Sequence, residues 1–245
     1  MSVFEKIRPE VGAGGFTRND GTVQFFSRVN ALVTKDMTLL DFGAGRGVLG
    51  EHRVPYIREI SNFRGRVAKV VGIDVDPIVT TNPTVDEGLQ FDGAHIPAAD
   101  ESFDLIFSDH VFEHLPDPQQ TASELFRVLK PGGWICARTP HLYSILTVGS
   151  KLVPNSNHAK MLSKIKPSGR QGIDVFPTHY RLNSMRALSH YFPAATWNNF
   201  SYTWSPEPSY NFGSILLTRV LSAVQYVKKP IMGGEVLLVF VQKKA

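Results

Sequence analysis

The chain has 245 residues, 42% hydrophobic and 20% charged, with 26 Lys+Arg, 22 Asp+Glu and a formal net charge of +4. This balance fits one globular domain with a full core, and a single cysteine, Cys136, excludes a disulfide framework or a cysteine-rich metal centre. No run of about 18 apolar residues offers a transmembrane helix, and the charged start Met1–Glu10 lacks a signal-peptide core, so a cytoplasmic protein is expected.

The charge is partitioned along the chain. Residues 1–124 hold 11 basic and 19 acidic side chains, net −8; residues 125–245 hold 15 and 3, net +12. The basic half is therefore expected to meet a substrate or a surface.

Residues 11–21, with four glycines and Asn19-Asp20-Gly21, read as a loop and a candidate lid. Thr22 is the expected N-cap of a helix to Val33, with Val23, Phe25, Phe26, Val29, Leu32 and Val33 on its apolar face. Residues 38–42 form a strand in which Leu39 and Leu40 rise into Asp41, and Gly43-Ala44-Gly45-Arg46-Gly47 follows. Glycine is required where the backbone takes φ > 0 or touches a ligand closely. The carboxyl end of a parallel strand is where open α/β sheets bind nucleotides. Gly45 to Gly50 also fits the dinucleotide fingerprint, but two features argue against a nicotinamide cofactor. Asp41 would set a like charge against a pyrophosphate, and the next strand-end acid, Asp74, lies beyond the expected spacing of about 20 residues. A carboxylate at that tip suits a cationic ligand, such as the amino-acid end of S-adenosylmethionine.

A helix is expected from about Gly47, interrupted by Pro55. Val67–Ile73 is the second strand, with Asp74 at its tip placed for both ribose hydroxyls and Asp76 for capping the turn before Pro77. Asp92 ends a short strand, where its carboxylate can accept from an exocyclic amine. Ser102–Ser108 has the near-continuous apolar run of a parallel strand buried on both faces. A helix over Glu124–Leu129 is stopped by Lys130-Pro131-Gly132-Gly133, and Trp134–Arg138 is the next strand.

Residues 140–180 exceed an ordinary connection. They carry Lys151, Lys160, Lys164, Lys166 and Arg170 with no acid before Asp174, which reads as a basic substrate-binding insertion containing a short apolar helix, Leu142–Val153. A helix from Asn183 to Tyr191, a strand over Thr196–Trp204, a helix over Tyr210–Lys229 and a last strand, Glu235–Gln242, complete the chain. The stripe of Ile215, Leu216, Leu217, Val220, Leu221, Val224 and Val227 is read as packing on the core. Peripheral contact with a membrane surface is the alternative, given Lys228 and Lys229. No helix-turn-helix, zinc module or aromatic-interleaved groove is legible, which argues against a nucleic-acid partner.

Four blocks fall in register over about residues 38–140. They are Leu39-Leu40-Asp41-Phe42-Gly43-Ala44-Gly45-Arg46-Gly47; Val71-Gly72-Ile73-Asp74; Asp92-Gly93-Ala94-His95-Ile96-Pro97 through Ser108; and Glu113-His114-Leu115-Pro116-Asp117-Pro118 through Gly133. With them the chain resembles the class I S-adenosylmethionine-dependent methyltransferases. The likeness is to the small-molecule and glycan-modifying branch, type 11-like, since the Asn-Pro-Pro-Tyr motif of DNA methylases is absent. The resemblance implies an α/β Rossmann-like fold: a seven-stranded, mostly parallel sheet with an antiparallel last strand beside the fifth, and helices on both faces. It implies one domain over 1–245, divided into a lid and docking helix (1–35), a cofactor-binding core (36–140), the basic substrate insertion (141–181) and C-terminal helices and strands (182–245). It implies S-adenosylmethionine as cofactor, with Asp41, Gly43 and Gly45 at the methionine end and Asp74 on the ribose. Val75 would lie against the adenine, Asp92 and Gly93 would read its edge, and Ser108 would line the floor beside the sulfonium. The interval between Gly47 and Asp74 is longer than the family's, which leaves the ends of that helix open.

Methyl transfer is an in-line displacement for which a protein supplies proximity, alignment and exclusion of water. The expected acceptor is a hydroxyl of a small or lipid-linked molecule, a sugar or similar metabolite, whose proton a base removes. Histidine suits that role near neutral pH, and the candidates are His110, His114, His141 and His179, the last beside Tyr180. His110, Glu113 and His114 have ligand-like i, i+3, i+4 spacing. Glu-His before Leu-Pro-Asp-Pro occurs in the family without a metal, and no metal is assigned. A non-catalytic module that keeps the nucleoside pocket is the alternative function.

Overall fold

The structure, a computed structural model, describes residues 3–145, 147–148, 176–208 and 211–245. Among the described residues eight strands form one sheet: β1 (Thr38–Phe42), β2 (Lys69–Asp74), β3 (Glu87–Gln90), β4 (Phe103–Asp109), β5 (Leu129–Pro140), β6 (Trp197–Asn199), β7 (Tyr202–Trp204) and β8 (Val236–Lys243). Their order is β3-β2-β1-β4-β5-β8-β6, with β7 also paired to β8. Strands β1 to β5 run parallel, and β8 enters antiparallel beside β5.

The strand sequences explain this arrangement. Along β1, Leu39 points into one core cluster and Leu40 into the other; Leu105, Ile106 and Phe107 alternate in the same way on β4. A central parallel strand needs apolar side chains on both faces, so its sequence is continuous rather than alternating. Helices α2 (Gly21–Leu32) and α3 (Pro55–Ser61) cover one face through Phe25, Phe26, Val29 and Ile60. Helices α4 (Pro118–Val128) and α5 (Met185–Tyr191) cover the other through Ala122, Leu125, Val128 and Leu188. A five-residue helix, α1 (Val3–Ile7), precedes them. Asp117 caps α4 by accepting from Gln120 N–H at 3.0 Å, and Pro118 opens it, so Leu-Pro-Asp-Pro is a helix-start signal.

Several expectations change. Asp20, not Thr22, caps α2, accepting from the N–H groups of Thr22 and Val23. Pro55 opens α3 rather than interrupting a helix, because the first turn has no use for the missing N–H. Helix α4 ends at Val128 as expected to within a residue, but Lys130–Gly133 then stands inside β5 at a register shift rather than in a turn before it, and Lys130 is held to Asp104 at 2.8 Å. Residues 196–204 make two short strands, which brings the sheet to eight. The last helix, α6 (Ile215–Met232), does not pack on the core: Thr218 is its one buried residue. Most of the basic insertion, including most of the helix expected at 142–153, lies outside the described residues.

Candidate active site

The carboxyl edge of the sheet is set by register. Asp41 pairs with Gly72 on β2 and with Phe107 on β4. Asp74 and Asp109 are each two residues further along, so three acids gather at one edge. The Asp41 carboxyl is pushed up to about 8 by burial first, then by the charges of Asp109 and Asp74. Asp109 is itself gripped by Arg138, its register partner on β5, through two bonds of 2.7 Å. Burial opposes the Arg138 charge, but Asp109 more than offsets it and the guanidinium stays above its ordinary pKa. A further Arg138 N–H donates to Thr22 Oγ1 at 2.9 Å, which ties α2 to this edge.

The glycine loop is wrapped around the tip of β2. Gly43 and Ala44 donate to the Ile73 carbonyl, and Gly45 N–H donates to Asp74 Oδ2 at 2.9 Å. Asp76 N–H donates to Asp74 Oδ1 at 2.9 Å. At Gly43, with φ +81°, a Cβ would stand 2.2 Å from Val111 Cγ2. At Gly45 the nearest atom to a Cβ is Asp74 Oδ2 at 3.9 Å, so the loop leaves open space over this carboxylate. Asn82 pins the loop from behind, donating to the carbonyls of Ala44 and Gly45.

The remaining cofactor candidates divide. Val75 is exposed, and a Cβ on Gly93 would lie 3.4 Å from it, so the two border one slot. Asp92 accepts from Ala94 and His95 N–H at 2.8 Å each, bonds that hold its carboxyl below the usual range, and it caps its own turn. Ser108 is buried and donates to the Phe42 carbonyl at 2.8 Å. Its hydroxyl fastens β1 to β4 beneath the edge.

Of the four candidate histidines, the structure brings one to the acid cluster. His110 follows β4 with φ +59°, its N–H donating to the Arg138 carbonyl. Its ring lies between two carboxylates, Nε2 3.8 Å from Asp109 Oδ1 and Nδ1 3.5 Å from Glu113 Oε1. Burial opposes the Glu113 charge, but His110 and the Thr139 hydroxyl at 2.8 Å hold its carboxyl below the ordinary value. His114 Nδ1 is committed to the Pro177 carbonyl at 2.8 Å. His141 is buried against the Gly234 carbonyl, and burial and then Lys228 lower its pKa. His179 is exposed, and its N–H donates to the Glu113 carbonyl. Among the described residues no group of three His, Cys, Asp or Glu side chains is placed to hold a metal ion.

Sequence reasoning missed Asp109, Arg138 and Asn82. Asp109 carried a signal, since it ends the apolar run of β4 as Asp41 ends that of β1. The residues present fit S-adenosylmethionine: gathered acids that favour a cation, an open glycine loop, and a carboxylate and an apolar slot at the next strand tip.

Residues 40–137 match the methyltransferase domain family. An uncharacterized methyltransferase of Mycobacterium sp. is 33% identical over 100 residues, 39% of this chain and 36% of that protein. The match thus spans about a third of that relative's length. The ubiquinone biosynthesis O-methyltransferase of Pseudomonas putida is 28% identical over 179 residues, covering 60% of this chain and 72% of the relative. The crystal structure of an S-adenosylmethionine-dependent methyltransferase from Mesorhizobium loti superposes with a TM-score of 0.53 at 14% identity, over 91% of this chain and 98% of that one. The matched blocks, the strand order with its antiparallel β8, and the acids at the carboxyl edge mark residues 40–137 as a methyltransferase domain similar to those of the class I S-adenosylmethionine-dependent enzymes.

Proposed function

We propose that this protein moves the methyl group of S-adenosylmethionine to a hydroxyl of a small or lipid-linked acceptor, a sugar or similar metabolite. One observation carries the reading: strand register gathers Asp41, Asp74 and Asp109 at one edge beside an open glycine loop, and the Asp41 carboxyl is held up there, a state that a bound cation relieves. The cofactor, when bound, supplies an electrophilic methyl on a sulfonium. Asp41 faces its cationic end, and the glycine loop lets backbone approach it. Asp74 accepts from the ribose with the lone pairs that Gly45 and Asp76 leave free, and Val75, Asp92 and Gly93 border the adenine. Ser108 keeps the floor rigid through Phe42. His110 takes the acceptor's proton, and Asp109 and Glu113 stabilise the imidazolium that forms. The Pseudomonas relative, an O-methyltransferase by name, supports oxygen as the atom methylated. Residues 1–35 serve as lid and docking helix, and 141–181 as the acceptor-binding insertion. An acceptor carried on a lipid would be met at a membrane periphery.

Calorimetry with S-adenosylhomocysteine tests the site. Asp74→Ala is expected to weaken binding at least about tenfold, the loss of a charge-assisted bidentate contact; unchanged affinity removes the ribose role. Incubation with methyl-labelled cofactor and a cell extract tests the transfer, since binding without a labelled product selects a non-catalytic nucleoside-binding module.

A further inference from the structure

Helix α6 is capped at both ends. Ser214 accepts from Leu217 N–H, and Gly233, with φ +78°, ends it. It is a well-formed helix, yet its apolar stripe faces outward. Leu216, Val220, Val224, Val227 and Ile231 follow at intervals of four, four, three and four, which places them on one side over about 22 Å. They are 74, 50, 45, 68 and 84% exposed. Tyr226 and Phe212 are also exposed, at 82 and 67%. Exposed aliphatic residues scattered singly need no explanation, but five in one line do.

The charges beside the stripe indicate what covers it. From Pro208 to Gly234 the sequence holds Arg219, Lys228 and Lys229 and no acid. Lys228 is committed to Glu235 at 2.8 Å, and Lys229 lies across the helix from the stripe, its Nζ 5.9 Å from the centre of the Trp204 ring, so Arg219 is the cation of the helix that flanks the stripe. The helix end rests on Tyr143, through Lys228 Nζ to the Tyr143 carbonyl at 2.7 Å, and Tyr143 and Val148 add exposed apolar surface there. The chain that continues from Val148 carries five basic residues and one acid over 149–175. A second copy of the chain would meet this helix with the same positive flank, whereas paired helices place opposite charges beside the seam. An apolar face with basic and aromatic residues at its border is instead the pattern of a helix lying in a bilayer interface.

We propose that the outward face of α6 lies on an anionic phospholipid bilayer, its aliphatic stripe at the headgroup–acyl boundary and Arg219 among the phosphates. This goes beyond the methyl-transfer reading and stands without it. The experiment is co-sedimentation of the full chain with vesicles of phosphatidylcholine and of phosphatidylcholine mixed with phosphatidylglycerol. The chain is expected to pellet with the mixed vesicles, less so as salt rises, and to remain in the supernatant with phosphatidylcholine alone. The double variant Leu216→Glu/Val227→Glu is expected to lower that partitioning by roughly tenfold or more. Both side chains face solvent, so melting temperature and S-adenosylhomocysteine affinity stay as in the wild type. Wild-type protein left in the supernatant with the anionic vesicles overturns the proposal, as does equal pelleting of the double variant or equal pelleting on neutral vesicles. A dimer in sedimentation velocity that the double variant disperses, without vesicle binding, assigns the face to a second copy instead. Vesicle binding by a chain that fails to bind S-adenosylhomocysteine would remove only the methyl-transfer reading.

Discussion

Replacing Asp41 by Asn separates what this residue costs the empty protein from what it gives the bound one. The carboxyl stands at about 8, far above the ordinary 3.8, because of burial and the charges of Asp109 and Asp74. An acid whose folded pKa is raised holds its proton more tightly in the folded state. Stability is therefore unaffected below the unfolded value, falls as pH rises through the interval, and is fully reduced above the folded value. A rise of about four units corresponds to roughly 5–6 kcal/mol if nothing screens it. Water reaches this half-buried side chain, so about 2 kcal/mol is the expected gain for Asp41→Asn at pH 8. That is a rise in Tm of about 4–8 °C for a chain of this size, shrinking to under a third of that by pH 5. Thermal melts from pH 5 to 9 without ligand measure it. In the wild type, S-adenosylhomocysteine affinity should climb with pH and level off near 8, because the cation selects the ionised carboxylate; in the variant it should be weak and flat. An Asn variant no more stable than the wild type at pH 8, or a gain that persists undiminished at pH 5, would refute the acid-cluster argument.

Arg138→Met removes the guanidinium that grips Asp109 beside Asp41, and should cost about 3–5 kcal/mol in urea unfolding, with most of it restored by Asp109→Leu in the same chain. Gly43→Ala combines a left-handed φ with a Cβ 2.2 Å from Val111, and should cost about 2–4 kcal/mol, roughly half of it recovered by Val111→Ala. His110→Asn keeps a residue type that tolerates φ +59°; it should lower kcat about a hundredfold or more while cofactor affinity holds, and parallel losses in both would mean that the residue only supports the fold.

The legible parts of this protein are those that short stretches decide. Leu39 and Leu40 announce a strand buried on both faces, and an acid directly after such a run marks the carboxyl edge of the sheet, so Asp41 and Asp74 stand out. Asp109 and Arg138 form their pair through the register of β4 on β5, across 29 positions, which no local pattern reports. Asp92 was legible as a strand-end acid, but its bonds to Ala94 and His95 depend on how the turn closes. The break between β6 and β7 comes from Asn199 Oδ1 accepting from Ser201 N–H, a local alternative to the ladder that turn residues offer. Helix α6 shows the limit of periodicity. A 3.6-residue repeat states which side chains share a face, but what lies opposite depends on the rest of the chain.

The uneven charge then acquires a geometric meaning. The acidic half holds the edge that favours a cation, and the basic half holds α6. The two meet where Asp109 of the first is neutralised by Arg138 of the second. Helix α6 runs through Gly233, Gly234 and Glu235 into β8, whose Val236 pairs with Pro140, two residues beyond Arg138 on β5. The outward stripe therefore ends at the same edge of the sheet as the carboxylates and His110. An anionic surface would attract the half with net +12 and repel the half with net −8, a torque that turns α6 toward the lipid over about a Debye length. In that orientation an acceptor anchored in the bilayer would meet the edge from the β5 side, while the proposed cofactor end on β1 and β2 would stay toward water.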